Sequence, residues 1–405
     1  MKILINKNFL LLWLGQSVSK LGTRLYDIAL MWYIYEKTGS SVALGLSVLC
    51  FTVPSVLIAP LAGVFADRLD KKKIIVNTDI LNGIIMLIFS YFIFYDKYPI
   101  YLLYIFMVFS SMVTAIFNPA ISSALPVIVE ETELKDANTL NQMSTQIINI
   151  FGPVLAGILL AFMSTGLLFL INGLSFLASA LFECFIKIPR LTVEKSSNSV
   201  AKQFKEGLLY VSKDKNLLYL VIAGGVIINF FLAPLSIYAT VLATDVLHVG
   251  STGFGTFNSC ISVGALAGAL LIMLNIFKDK YKMAILGLSI EGVAVTLLGL
   301  IPNFYVVLCA AVILGLGIAM ASVGISTLYQ TLIPKDKMGR VMALVSTLCE
   351  ITIPLGTLAG STIIAHMPLS IVLIVSGIFV LITGVSLAPL LGIKAKATAV
   401  DLTVE

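Results

Sequence analysis

Residues 63–73 read GVFADRLDKKK, and this string decides how the chain is interpreted. It connects two long apolar runs, 41–66 and 74–94, and it carries four basic and two acidic residues. A short basic connection between two segments of membrane-spanning length is typical of a cytoplasmic loop in a multi-pass membrane protein. The string therefore predicts a membrane protein, and the rest of the sequence can be tested against that prediction.

The composition excludes several classes of protein. Apolar residues make up 59% of the chain and charged residues 12%, against about 45–50% and about 25% in soluble domains. The first apolar run is too long and too interrupted by polar residues for a cleavable signal peptide. The five cysteines all lie in apolar segments without C-x-x-C spacing, so we expect packing residues rather than disulfides, and no metal or cofactor. The net charge of +5 comes from loops, and nucleic-acid binding is not expected.

About twelve apolar runs occur, most of them long enough to cross a bilayer core of roughly 30 Å. They span residues 9–35, 41–66, 74–94, 99–127, 138–163, 165–187, 216–244, 250–276, 283–301, 304–333, 341–366 and 369–392. In lipid only helices and closed barrels satisfy the backbone, and runs this long are not barrel strands. We therefore predict an all-α membrane protein with twelve transmembrane helices.

The basic residues predict the orientation of these helices. Of the 26 Lys and Arg residues, 22 fall in tails, loops or adjoining helix ends on one side of the membrane. Only Lys37 and Lys97 fall in loops on the other side, and Lys20 and Arg24 lie inside the first run. Because short basic loops resist translocation, both termini are predicted to be cytoplasmic, in the inner cell membrane. The outer loops are too short to hold a catalytic domain.

The chain divides into two similar halves. The longest break, 188–215, is polar and basic, and a short amphipathic helix on the membrane face is predicted over 200–213. It separates six helices in 1–187 from six in 216–405, which ends in a short cytoplasmic tail. The tripeptide Leu-Ala-Gly recurs in the second and eighth helices and again in the fifth and eleventh, at nearly equal offsets. Duplicated six-helix halves are typical of secondary transporters with a site between the repeats.

The string at 63–73 resembles the loop 2–3 signature of the major facilitator superfamily, G-x-x-x-D-R-x-x-R-K, with lysine at position 71 where arginine is usual. The resemblance implies two pseudo-symmetric six-helix bundles and a conformational latch. The latch residues would be Gly63, Asp67, Arg68, Lys71 and Lys72. In that family the acidic residue meets the N-terminus of a facing helix, a contact worth roughly 0.3–1 kcal/mol. An ordinary basic loop is the alternative.

Residues 152–157, GPVLAG, resemble the G-P-x-x-G-G element of drug–proton antiporters in that superfamily, with alanine in place of one glycine. Gly152, Pro153 and Gly157 would form a helix kink, because proline removes a backbone bond and glycine permits close approach. Together with 134–138 and 338–341, the pattern is most similar to the macrolide-efflux and siderophore-export branch. Many drug antiporters carry an arginine where this chain has Ser110, so a relay role for that arginine does not carry over.

Charged residues inside the membrane are candidates for the site. Lys20, Arg24 and Asp27 fall within a sector of about 60° on the first helix. A charge at the bilayer centre costs roughly 2.5–3.5 kcal/mol, so these three should face the interior. They are either a buried ion pair that fixes packing or a cavity stripe that meets substrate and protons. Glu350, in the eleventh helix, is likewise a cavity residue or a packing residue.

Three other carboxylates are predicted to be structural. Glu291 lies in the ninth helix, which is peripheral in the resembled fold, and this favours a packing or lipid-edge role. Asp79 and Glu183 lie near cytoplasmic helix ends, which favours roles at helix interfaces.

The missing motifs narrow the function. The sequence holds no phosphate-binding loop and no protease or lipase string, so we predict a transporter rather than an enzyme. The expected activity is secondary active export of an amphipathic small molecule, macrolide-like, siderophore-like or another drug, by a monomer that exchanges it for protons or another coupling ion. Asp27 and Glu350 would titrate, and membrane lipids surround the protein. A passive uniporter and a non-transporting membrane sensor remain as alternatives.

Overall fold

The computed structural model of the protein describes residues 5–68, 70–95, 98–130, 133–188, 200–274, 279–334 and 337–388. Throughout these ranges the regular secondary structure is helical, which confirms the predicted all-α fold class. The helices of the first half are α1 (Lys7–Thr38), α2 (Ser41–Arg68), α3 (Lys71–Tyr95), α4 (Ile100–Ile128), α5 (Leu134–Phe162) and α6 (Thr165–Cys184).

Local sequence accounts for where several of these helices begin and end. The Asn6 side chain accepts hydrogen bonds from two first-turn amides of α1, and Gly39 ends that helix with a left-handed φ of 58°. Glycine adopts this conformation at little cost, because it has no Cβ. Asp70 begins α3 by accepting a hydrogen bond of 3.1 Å from the backbone N–H of Lys72. The basic loop after α2 is therefore also a capping sequence.

The second half contains one short helix and six long ones. They are α7 (Val200–Lys213), α8 (Lys215–Val246), α9 (Gly250–Met273), α10 (Lys280–Leu300), α11 (Phe304–Leu332), α12 (Met338–Ile364) and α13 (Leu369–Ser386). The short helix α7 has the bounds predicted for the amphipathic helix, while residues 189–199 before it lie outside the described ranges.

The helix α8 is less regular than its prediction as one continuous segment. It contains π-helical turns at Val221–Ile227 and Leu242–Val246, and it is interrupted at residues 233–234. Pro234 contributes to the interruption because it has no backbone N–H to donate. In the first π-helical turn, the Gly225 carbonyl accepts a hydrogen bond of 2.8 Å from the Asn229 side chain. Proline is visible in the sequence, but a side chain that supports a widened turn is not.

Eleven of these helices, α2–α6 and α8–α13, are long and apolar enough to cross a membrane. The helix α1 is long enough, with 32 residues, but it carries Lys20, Arg24 and Asp27 in its middle. With α1 the described ranges contain twelve long helices, as predicted, and the protein is a multi-pass membrane protein.

The chain forms two compact units. The first comprises Met1–Ser196 together with Gly250–Ser259, and the second comprises Ser197–Val249 together with Cys260–Glu405. In the first unit α6 packs against α1 and α3, and α4 packs against α2 and α3. Glycine permits the close approach of α1 to α6, because a Cβ at Gly22 would lie 2.8 Å from the Cβ of Ser175.

The second unit is organised around α10, which packs against α11 and α13. Glycine again sets the distance, since a Cβ at Gly287 would lie 2.8 Å from the Cα of Ala321 on α11. Small residues at such contacts let membrane helices approach closely, and the resulting van der Waals contacts stabilise the pair. Each unit therefore contains helix pairs that approach closely at a glycine.

Candidate functional site

The first unit contains a cavity with a volume of about 690 Å³. Its walls come from α1, α3, α4, α5 and α6, with Phe51 contributed by α2. This volume lies within the roughly 300–1,000 Å³ of typical small-molecule sites. The cavity is therefore large enough for an organic substrate.

The cavity wall combines aromatic and amide side chains. Aromatic rings are contributed by Phe9, Trp13, Tyr26, Phe51, Phe117 and Phe176. Asparagine side chains are contributed by Asn82, Asn118, Asn138, Asn141, Asn149 and Asn172. Amide groups donate and accept hydrogen bonds, while rings offer flat apolar contact area. A wall of this kind suits a molecule that is apolar in part and carries several hydrogen-bonding groups.

One face of α5 supplies much of the polar lining. Asn138, Asn141, Thr145 and Asn149 follow one another at spacings of three and four residues, and all four line the cavity. Residues at these spacings share one side of a helix. This polar stripe was not among the predicted site residues, although its helical period is visible in the sequence.

Hydrogen bonds between α3 and α4 fix another part of the wall. The Ser110 hydroxyl donates to Asn82 Oδ1 at 3.1 Å, and Asn82 Nδ2 donates to Thr114 Oγ1 at 3.5 Å. The sequence resemblance implies that Ser110 replaces an arginine of many drug antiporters. At this position the chain has a buried neutral hydrogen bond instead of a cation.

The three charges of α1 all line the same cavity. Lys20 Nζ donates to Thr145 Oγ1 of α5 at 3.4 Å. Arg24 lies against α5 at Gly152, where a Cβ would be 2.8 Å from Arg24 Cγ, and its Nε is buried without a hydrogen-bond partner. Asp27 lies within electrostatic reach of Arg24. The stripe therefore belongs to the cavity and also contacts a neighbouring helix.

The fifth-helix motif contacts the first residues of α9. Pro153 lies inside α5, and the backbone N–H of Val154 is 3.2 Å from Ser259 Oγ, which accepts its hydrogen bond. The Ser251 hydroxyl donates to the Gly157 carbonyl at 3.2 Å. A Cβ at Gly157 would lie 2.6 Å from the Ser251 carbonyl oxygen. The motif is therefore a helix-packing surface inside the first unit.

The other predicted site residues lie elsewhere. Glu350 is on α12 in the second unit, where its side chain is exposed. The latch prediction falls largely outside the described residues, because the side chains of Gly63, Asp67 and Arg68 are not among them. Lys71 and Lys72 form the first turn of α3 and are half-buried.

Three polar residues form a cluster that sequence reasoning did not bring together. Asp79 of α3, Glu183 of α6 and Gln16 of α1 are all buried. Gln16 Nε2 donates to Glu183 Oε1 at 2.8 Å, and Asp79 and Gln16 also line the cavity. The predicted interface roles of the two carboxylates agree with these positions. Two carboxylates and a glutamine inside apolar runs were a visible signal, but their pairing depends on how three helices are rotated.

Glu291 lies between α10 and α11, with only 3% of its surface exposed. A Cβ at Gly317 of α11 would lie 2.9 Å from Glu291 Cγ, and Glu291 Oε2 has no hydrogen-bond partner. This position agrees with the packing role predicted from the sequence, and not with a place at the lipid edge.

Comparison with known proteins identifies relatives along most of the chain. The sequence pattern of the Major Facilitator Superfamily matches residues 12–357. Macrolide efflux protein A of Streptococcus pyogenes is 24% identical over 360 residues, which cover 87% of this chain and 88% of that protein. BacE of Bacillus amyloliquefaciens, described as a candidate bacilysin exporter, is 28% identical over 331 residues, covering 79% and 80%.

Solved structures agree on the fold. A bacterial homologue of the iron transporter ferroportin, crystallised in an inward-facing state, superimposes with a TM-score of 0.73 at 17% identity, covering 96% of this chain and 99% of that one. The nucleoside transporter NupG superimposes with a TM-score of 0.78 at 10% identity, covering 94% and 99%. At such identities the likeness concerns the fold alone.

Proposed function

The chain belongs to the Major Facilitator Superfamily and is a membrane transporter rather than an enzyme, and on this premise we propose that it exports an amphipathic small molecule in exchange for protons. The observation that carries the proposal is the cavity of the first unit, with its aromatic rings, amides and α1 charges. The proposed substrate is macrolide-like or siderophore-like, or another drug of similar size.

The cavity wall supports an amphipathic substrate. Aromatic side chains contribute apolar contact area, and the asparagines of α3, α4, α5 and α6 can each hydrogen-bond a carbonyl, ether or hydroxyl group of the substrate. Unmet hydrogen-bonding groups are costly in a dry site, so a wall this polar would discriminate against simple hydrocarbons. The similarity to proteins named for macrolide efflux and for bacilysin export supports the outward direction.

The charges favour substrates with an anionic or hydrogen-bond-accepting group. Lys20, Arg24 and Asp27 sum to +1 in formal charge. The buried Arg24 Nε has no partner, and a ligand oxygen would supply one. Leaving such a donor unsatisfied costs about 1–3 kcal/mol, so accepting groups on the substrate gain by pairing with it.

Asp27 and Glu350 are the residues proposed to titrate. Asp27 lies within electrostatic reach of Arg24 on α1, and Glu350 provides a carboxylate in the second unit. Protonation of a carboxylate changes the charge that the substrate meets, which links proton binding to substrate binding. Residues 63–72 would act as the conformational latch, a role that rests on the sequence string.

The proposal also includes the location of the protein, its orientation and its oligomeric state. The distribution of Lys and Arg supports an inner-membrane location with both termini in the cytoplasm. The protein would act as a monomer among membrane lipids.

The test is transport of radiolabelled erythromycin into proteoliposomes with and without a pH gradient. We expect the gradient to drive accumulation by the wild-type protein. Asp27→Asn and Glu350→Gln should each reduce accumulation while exchange of labelled for unlabelled erythromycin continues. Asp136→Asn and Glu36→Gln make the same chemical changes at exposed positions and should transport normally.

Each rival function predicts a different result. A passive uniporter would equilibrate erythromycin at the same rate whatever the pH gradient. A sensor would be stabilised by the ligand without moving it. If Asp27→Asn and Glu350→Gln both accumulate erythromycin as the wild type does, then neither residue couples transport to protons, and the α1 stripe serves packing.

A further inference from the structure

A pair of carboxyl groups lies beside the cavity, at the contact of α3 with α6. Asp79 is 2% exposed and Glu183 is 1% exposed. The two carboxyl groups lie within hydrogen-bonding reach of each other. Gln16 Nε2 donates to Glu183 Oε1 at 2.8 Å, and the Ser179 hydroxyl lies 3.4 Å from the same oxygen. One carboxyl oxygen of Glu183 is therefore supplied with donors.

Two other oxygens of the pair have no hydrogen-bond donor. Asp79 Oδ2 and Glu183 Oε2 are both buried and have no hydrogen-bond partner. Two ionised carboxylates in contact would place two negative charges in an apolar environment, which is strongly unfavourable. A proton on either carboxyl group turns it into a donor toward the other. A shared proton therefore explains both the contact and the unpaired oxygens.

In the part of the chain that the structure describes, no charged group on the neighbouring helices neutralises the two carboxyl groups. On α1, Lys20 donates to Thr145 and Arg24 lies against Gly152, both of α5, while Asp27 adds negative charge. Between residues 100 and 128 the helix α4 contains no charged residue, and it presents Ser110 and Thr114.

The other charged residues of α1, α2, α3 and α5 lie near the ends of those helices. They are Lys7, Glu36 and Lys37 on α1, Asp67 and Arg68 on α2, Lys71, Lys72 and Lys73 on α3, and Lys135 and Asp136 on α5.

Asp79 connects the pair to the cavity. Both Asp79 and Gln16 line the cavity wall, whereas Glu183 does not. A proton in the cavity can therefore reach Asp79 first and pass to Glu183 through the contact between the two carboxyl groups. Because Gln16 belongs to α1 and Glu183 to α6, a displacement of α1 along α6 that breaks their hydrogen bond removes a donor from Glu183 and changes how readily the pair releases its proton.

We propose that Asp79 and Glu183 form a proton-binding site of this transporter, separate from Asp27 and Glu350, and that it loads and unloads through the cavity. The coupling role of the site rests on the proposed proton-driven export, whereas proton binding itself does not. Gln16 is a positioning residue that orients Glu183.

Infrared spectroscopy tests proton binding without any substrate. The protein is reconstituted in lipid with Asp27→Asn and Glu291→Gln, which remove two other carboxyl groups from α1 and α10. In this background we expect the carbonyl stretch of a protonated carboxylic acid at neutral pH, and its intensity should fall as the pH rises. Glu183→Gln and Asp79→Asn should each shift or weaken the band, and the double variant should lose it.

The infrared results distinguish proton binding by Asp79 and Glu183 from a purely structural role of the two residues. A double variant that keeps the band and its pH dependence overturns the proposal, and so does a background protein without the band. Glu183→Gln can still accept a hydrogen bond from Gln16, so this single variant decides the question if the double variant fails to elute as a folded species.

Transport decides the coupling role separately. In proteoliposomes, pH-driven erythromycin accumulation should be lost in Glu183→Gln, while exchange of labelled for unlabelled erythromycin persists. Undiminished accumulation overturns the coupling role. If the wild-type protein shows no pH-driven transport, then the proposed function fails, and the infrared band still decides whether the pair binds a proton.

Discussion

At the scale of single residues, glycines decide how closely α5 and α9 approach. A Cβ at Gly157 would lie 2.6 Å from the Ser251 carbonyl oxygen and 3.1 Å from the Thr252 Cα. Both neighbours are backbone atoms, so they cannot rotate away as a flexible side chain can. The motif at residues 152–157 was predicted to kink the helix. Its Gly157 also forms a contact surface for α9.

We expect Gly157→Ala to destabilise the protein. Overpacking of a close contact typically costs about 1–3 kcal/mol. This cost exceeds the gain of up to about 1 kcal/mol that alanine brings to a helix. The measurement is the midpoint of thermal unfolding of the purified protein in detergent, which should fall.

The matched control is Gly225→Ala. A Cβ at Gly225 would lie 3.6 Å from Cys349 Sγ, which is an ordinary van der Waals distance. The midpoint of this variant should stay near that of the wild type. Equal midpoints for Gly157→Ala and the wild type would mean that the contact with Ser251 relaxes without cost.

At the scale of elements, α8 depends on side chains to support its irregular turns. The Gly225 carbonyl accepts hydrogen bonds from Asn229 Nδ2 at 2.8 Å and from Cys349 Sγ of α12 at 3.3 Å. Tyr329 of α11 donates to the Leu220 carbonyl at 3.4 Å. Asn229 supports the turn from within α8, while Cys349 and Tyr329 bond α8 to α12 and α11.

We expect Asn229→Ala to lower the stability of the second unit. Loss of the amide leaves a thiol, a weak donor, as the side-chain partner of the Gly225 carbonyl, and a lost hydrogen bond of this kind costs about 0.5–1.5 kcal/mol. Hydrogen exchange of the amides of Val221–Ile227 should become faster. Thr327→Ala is the control, because its exposed hydroxyl bonds to a carbonyl of a regular helix turn. Unchanged exchange in Asn229→Ala would show that Cys349 alone supports the turn.

The helices and the contacts between them show which features of the fold and the site could be predicted from the sequence. Long apolar runs identified twelve helices because a membrane requires that length. The start of α5 and the end of α13 differed from the prediction by several residues, because hydrophobicity alone does not determine where helical hydrogen bonding begins or stops. The stripe of Lys20, Arg24 and Asp27 was predicted to face the interior because its members share one helix face, and all three line the cavity. The contact of Asp79 with Glu183 was not predictable, because it depends on the relative rotation of α3 and α6.

At the scale of the whole molecule, the positive charges predict one orientation in the membrane. The exposed last turn of α1, which contains Lys37, and the exposed loop at Pro302 would lie outside the cell, and α7 would lie in the cytoplasm. Moving a basic segment such as α7 across the membrane would oppose the preference of Lys and Arg for the cytoplasmic side. The orientation is therefore testable at two exposed positions.

Labelling of single cysteines in intact cells tests this orientation. The background replaces all five native cysteines, with serine at Cys349 because a hydroxyl keeps a donor for the Gly225 carbonyl. We expect a membrane-impermeant thiol reagent to label Pro302→Cys in intact cells and Ser212→Cys only after the cells are permeabilised, since both positions are exposed. The cysteine-free protein is the control for background labelling. Labelling of Ser212→Cys in intact cells, with Pro302→Cys protected, would invert the topology and with it the proposed direction of export.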